Sequence, residues 1–157
     1  MSSFIAKDDY KYQIRTYRLD QILEAADEDE ELILDSAENE AVSILKDSLA
    51  TRYDVNAIFA ASGNDRHKTI LRWAKVLVIY FIYERIPDEM VPERVVKNYN
   101  YVLERLEAIE AGNANVDGLP LQTEADENGE TQTITRRRWG SMEKRTNDGG
   151  SPRDRTS

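Results

Sequence analysis

Apolar residues recur at three-to-four spacing through residues 19–111 of this chain and then almost cease. The pattern predicts five helices. Asp8 can cap a short first one over 9–14, and Arg15, Thr16 and Tyr17 break it. A second short helix over 19–26 sets Leu19, Ile22, Leu23 and Ala26 on one face. The third, over 30–53, keeps Ile33, Ala37, Ala41, Ile44, Leu45 and Leu49 in register. Residues 54–63 read as a loop with an apolar plug of Val55, Ile58 and Phe59, and 62–65 supply a breaker and a cap. The fourth helix covers 65–84. Its second half, 76–83, is apolar all round, which belongs at the centre of a bundle or at a subunit interface. The β-branched content there also suits a strand, but the total length and the charges at Arg66, Lys68, Arg72 and Lys75 favour a helix. Pro87 and Pro92 bracket a connection, and Pro92 suits the first turn of a fifth helix over 91–111. Val95, Tyr99, Val102, Leu106 and Ile109 form its stripe, and Gly112 sits where a left-handed residue ends a helix.

Beyond Gly112 the period changes. Leu119, Pro120 and Leu121 read as extended, and Asn128-Gly129 signals a tight turn. A hairpin of 122–126 with 130–136 is expected, marginal unless it packs on something. Residues 146–157 are polar, and only a partner is expected to order them. The fold class expected is mainly α: a small bundle of five helices over 1–121, with an extended C-terminal arm over 122–157.

Charge sharpens that division. The net charge is −9, and the arm holds seven Lys/Arg against seven Asp/Glu, so the body carries the whole excess. An acidic body argues against a general phosphate-binding surface. The arm swings from acidic (Glu124, Asp126, Glu127, Glu130) to basic (Arg136, Arg137, Arg138, Lys144, Arg145). It holds too few apolar residues to bury a core and suggests a part that acts by docking. There is no cysteine, so disulfides and thiolate zinc sites are excluded. The first residues lack the apolar region of a signal peptide, and 76–83 is far too short to span a bilayer.

Chemistry is hard to find. His67 is the single histidine, read as a polar helix-start residue near the surface; one imidazole builds neither a catalytic dyad nor a histidine metal pair. Glu38 and Asp47, and Glu104, Glu107 and Glu110, read as solvated acidic faces. The acids 27–31 read as a charged turn before the third helix, since a calcium loop would need different donor spacing and a central glycine. No catalytic residue, metal ligand or cofactor is expected. Tyr80, Tyr83, Tyr99 and Tyr101 flank the fourth and fifth helices. They read as half-buried core, with Tyr80, Tyr83 and Tyr99 the candidates for a subunit interface. The sharpest local feature is Arg136-Arg137-Arg138-Trp139-Gly140, because Arg and Trp often carry binding energy. It reads as a solvated basic patch, as a docking element for an acidic partner surface, or as a contact for a nucleic-acid backbone. With Ile134 these residues form the candidate protein-binding set of the arm.

The order of elements resembles a known family. Two short helices lead into a long one ending Ser48-Leu49-Ala50-Thr51-Arg52-Tyr53-Asp54. An apolar helix ends Tyr80-Phe81-Ile82-Tyr83-Glu84-Arg85, and the last closes on Ile109-Glu110-Ala111-Gly112 before Leu119-Pro120-Leu121. With Trp139-Gly140-Ser141 in the arm, this is similar to the head–tail connector (adaptor, or head-completion) proteins of tailed bacteriophages, in particular the Mu-like branch. The resemblance covers about residues 5–145. It implies a structural virion protein at the head–tail junction, made in the host cytoplasm. It implies a homo-oligomeric, dodecameric ring between the portal protein and other neck or tail-completion proteins, with the arm docked on the portal or on neighbouring copies. Double-stranded DNA would pass through the lumen without sequence-specific binding, and no membrane is involved. The competing expectation is a soluble acidic adaptor or inhibitor that binds a host protein through the arm.

Overall fold

The computed structural model describes residues 4–25, 29–86, 90–125 and 131–133. Expectations that fall on Asp27, Pro87, the Asn128-Gly129 turn and residues 134–157 lie outside them, including those for Ile134, Arg136, Arg137, Arg138 and Trp139. The described residues form a mainly helical bundle. Its helices are α1 (Thr16–Ala25), α2 (Glu30–Leu49), α3 (Val55–Ala60), α4 (Lys68–Glu84) and α5 (Glu93–Glu110). Short 3-10 turns at Lys7–Tyr12 and Gly63–Asp65 precede α1 and α4.

α4 is the central post, and α2, α4 and α5 pack on one another with α1 laid across α2 and α4. The run predicted to be apolar all round, 76–83, is buried except for half-buried Tyr80, and the burial extends back to Trp73. Ile70, Leu77, Val78 and Ile82 meet Ile33, Ala37, Ala41, Leu45 and Leu49 of α2 and Val102, Leu106 and Ile109 of α5 in one core. Each Val, Leu or Ile side chain so removed from water contributes about 1.5–3 kcal/mol.

The helix ends follow from local chemistry. Asp29 caps α2, its carboxylate accepting from the Glu31 and Leu32 amides at 3.0 and 3.3 Å. α5 closes in a Schellman turn. Gly112 lies at φ +74°, its amide donates to the Ile109 carbonyl at 2.9 Å, and the Asn113 amide donates to the Ala108 carbonyl at 2.8 Å.

Several expectations need correcting. Asp8 caps nothing and pairs with Lys11 at 3.5 Å. Ala6 holds the cap position, its amide donating to the Asp9 carboxylate. The break between the first two helical segments falls at 13–15 rather than 15–17, because α1 begins at Thr16. α2 stops at Leu49, not Tyr53. The plug over 54–63 is helical as α3, capped by Asp54 through the Ala57 amide at 3.1 Å. α4 begins at Lys68 rather than Asp65, because a separate 3-10 turn intervenes. In the arm, Thr123–Ala125 (β1) and Thr131–Thr133 (β2) pair antiparallel, Glu124 opposite Gln132, inside the spans expected for the hairpin.

Candidate docking sites

The base of the arm is tied to the body at Arg52-Tyr53-Asp54. Tyr53 and Leu121 form an antiparallel bridge. The Asp54 amide donates to the Pro120 carbonyl at 2.9 Å, and the Gln122 amide to the Arg52 carbonyl at 3.1 Å. Tyr53 is 1 % exposed, and its hydroxyl accepts the Val116 amide at 2.8 Å. Leu119 is buried beside it. His67, at the cap position of α4, makes a second tie: its Nε2 lies 3.0 Å from the Asp117 carbonyl. That bond requires the proton on Nε2, so His67 is a stitch between α4 and the segment leaving α5.

A second tie holds the N-terminal segment. Arg66 donates to the Gly63 and Phe4 carbonyls, each at 2.8 Å, and grips both Asp9 carboxylate oxygens at 2.6 and 3.2 Å. Burial pushes the Asp9 carboxyl up. The Arg66 bonds, the Ala6 amide and the charges of Arg66 and Lys75 outweigh it, and the net result lies below the usual 3.8. Lys75 is buried, and its Nζ donates to the Asp9 carbonyl at 3.0 Å. Its desolvation lowers its affinity for a proton.

Glu38 also departs from expectation. It is 6 % exposed rather than on the polar side of α2, and it accepts the Tyr10 hydroxyl at 2.8 Å. Its spacing to Ala41 and Leu45 is that of the core stripe, which was the signal in the sequence. Asp47, Glu104, Glu107 and Glu110 are exposed as expected.

The tyrosines divide. Tyr80 and Tyr99 are half-buried and stack face to face, centroids 3.7 Å apart and planes 9° off parallel. The Tyr80 hydroxyl is pushed up first by its bond to Glu84, and that of Tyr99 first by burial. Tyr83 is packed away on another side of α4, and Tyr101 faces water.

Tyr83 belongs to a cleft of about 540 Å³ between residues 11–18 and the facing sides of α4 and α5. Buried Val76, Ile79, Tyr83 and Val95 make its floor. Lys11, Arg15, Arg18 and Arg94 surround it, with Tyr12 and Tyr17 exposed at the edge. An adjoining hollow adds Arg72 and Lys75, and among the described residues no carboxylate lines either space. The sequence reading missed this site, since its residues come from three separated segments.

Another cleft, of about 580 Å³, has the opposite character, with Asp29, Glu30, Glu31, Asp35 and Glu38 along it. Among the described residues no group of three or more His, Cys, Asp or Glu side chains could hold a metal ion. None of their helices is long and apolar enough to cross a membrane. The arrangement offers surfaces for docking: two clefts of opposite charge and a tethered arm. No protein-family model, curated protein or solved structure matches this chain.

Proposed function

We propose that the chain is a structural virion protein, a head–tail connector of a tailed bacteriophage. In this reading it forms a ring between the portal and the tail, and its C-terminal arm docks on the portal or on neighbouring copies. The observation that carries it is the arm's base. The residues of the family resemblance, Arg52-Tyr53-Asp54 and Leu119-Pro120-Leu121, form the ladder from which the chain leaves the body. A buried anchor below a charge-segregated arm suits a fixed body whose reach comes from a segment that orders on its partner. An acidic body around the lumen lets DNA slide without sticking.

The test is immunogold electron microscopy of particles with an antibody to the body, joined to portal capture by a chain lacking residues 131–157. Label at the head–tail junction, with a truncated chain that folds but fails to hold the portal, is expected. Absence of label from intact and opened particles would overturn the virion assignment. Portal capture undiminished by the truncation would overturn the role of the arm.

A further inference from the structure

The geometry points to a head-to-tail contact between two copies of this chain: the acidic corner of one enters the basic cleft of the next. Leu32 would seat on the apolar floor, while Glu30 and Glu31 meet Arg15 and Arg94.

The cleft sets the chemistry of its occupant. Its edge is cationic, with no carboxylate among the described residues, and its floor is Val76, Ile79, Tyr83 and Val95. A fitting occupant therefore carries carboxylates beside an apolar side chain. The start of α2 presents that combination. Leu32 is 68 % exposed, one of the few large apolar side chains left in water, and it directly follows exposed Glu30 and Glu31. The Asp29 cap fixes these residues at a defined helix end.

The two surfaces cannot serve each other within one copy. The clefts share no lining residue. α1 stands between them, with Tyr17 and Arg18 on the basic side and Leu23 on the acidic side. On a helix of 3.6 residues per turn, Leu23 lies about 190° round from the midpoint of Tyr17 and Arg18. Complementary surfaces on opposite faces make a heterologous contact, which closes into a ring or runs on as a filament. A long polyanion suits the cleft less well, because outside it the polymer meets a body of charge −9. The contact rests on the ring proposed above only for its closure.

The experiment is sedimentation equilibrium of the full chain, with no portal present, at about 0.1 M salt, where the Debye length is about 10 Å. Two variants test the faces: Arg15→Glu with Arg94→Glu in the cleft, and Glu30→Lys with Glu31→Lys at the corner. The wild-type chain should form species heavier than the monomer, dissociating at about 1 M salt. Each variant alone should associate at least about tenfold more weakly. Mixed in equal amounts, the variants should associate again, since an intact cleft meets an intact corner and the reversed charges of the other two faces also match. Leu32→Ser, at an exposed position, should weaken association without loss of helix content. Wild-type chain that stays monomeric to millimolar concentration would overturn the contact, as would variants that assemble undiminished. Monomers that bind a short DNA duplex through Arg94 would overturn it in favour of phosphate recognition. Because the portal is absent, these results stand apart from the virion assignment.

Discussion

Tyr53→Phe isolates the arm's anchor from the packing around it. The phenyl ring keeps the apolar contacts of a residue 1 % exposed, and only the hydroxyl that accepts the Val116 amide at 2.8 Å is lost. Leaving a buried donor without its partner costs about 1–3 kcal/mol, and because this bond is part-buried the lower half, about 1–2 kcal/mol, applies. For a domain of this size that lowers Tm by about 2–8 °C. The loss should fall mostly on local opening, because the ties from Asp54 and Gln122 to the same segment remain. Amide exchange over 113–122 should then speed up by about 5- to 30-fold, with the amides of α4 slowed or quickened only as global stability dictates. The assay is a circular-dichroism melt paired with hydrogen exchange read by mass spectrometry. In portal capture the variant should hold less firmly than wild type while remaining folded. A Tm within about 1 °C of wild type together with unchanged exchange over 113–122 would refute the reasoning and reduce Tyr53 to a packing residue.

Two further predictions concern the polar ties of the N-terminal segment. Asp9 has a folded-state proton affinity below its ordinary value of 3.8, so the unfolded chain binds the proton more readily. Its contribution is complete above the ordinary value and disappears as pH falls through the folded one; acid melts of Asp9→Asn should therefore lose part of the wild-type pH slope in that window. Tyr10→Phe removes the 2.8 Å donor to Glu38, a carboxylate 6 % exposed, and should cost about 1–3 kcal/mol in urea unfolding, with Glu38→Gln recovering part of that in the double variant.

The bundle was legible because most of its stabilisation comes from apolar stripes with a period the sequence displays. Ile33, Ala37, Ala41, Leu45 and Leu49 are spaced as a helix face and are buried as one. α3 was not legible as a helix, since Val55–Ala60 is too short to show a period, and only the Asp54 cap marks it. Glu38 and Lys75 share the spacing of buried neighbours, yet their charge argued for water. What moved them inside were partners distant in sequence, Tyr10 for Glu38 and the Asp9 carbonyl for Lys75. Charge type predicts exposure only where no such partner exists, and a one-dimensional period cannot reveal a partner from another segment.

The same blindness hid the clefts, and a net charge could not reveal them. A total of −9 describes the far field, which governs how two bodies approach over many ångströms. Contact is decided within a few ångströms, where the local sign matters. Lys11, Arg15 and Arg18 come from the N-terminal segment, Arg72 and Lys75 from α4, and Arg94 from α5, three stretches far apart in sequence. Folding sorts them onto one wall and leaves Asp29, Glu30, Glu31 and Asp35 on another. A surface sorted in this way repels its copies at long range and attracts them in one orientation at short range. Long-range repulsion is screened once the Debye length falls below the width of the body, while opposed charges in the partly enclosed cleft are screened less. The acidity that argued against a general phosphate-binding surface is therefore also what would restrict self-contact to one orientation.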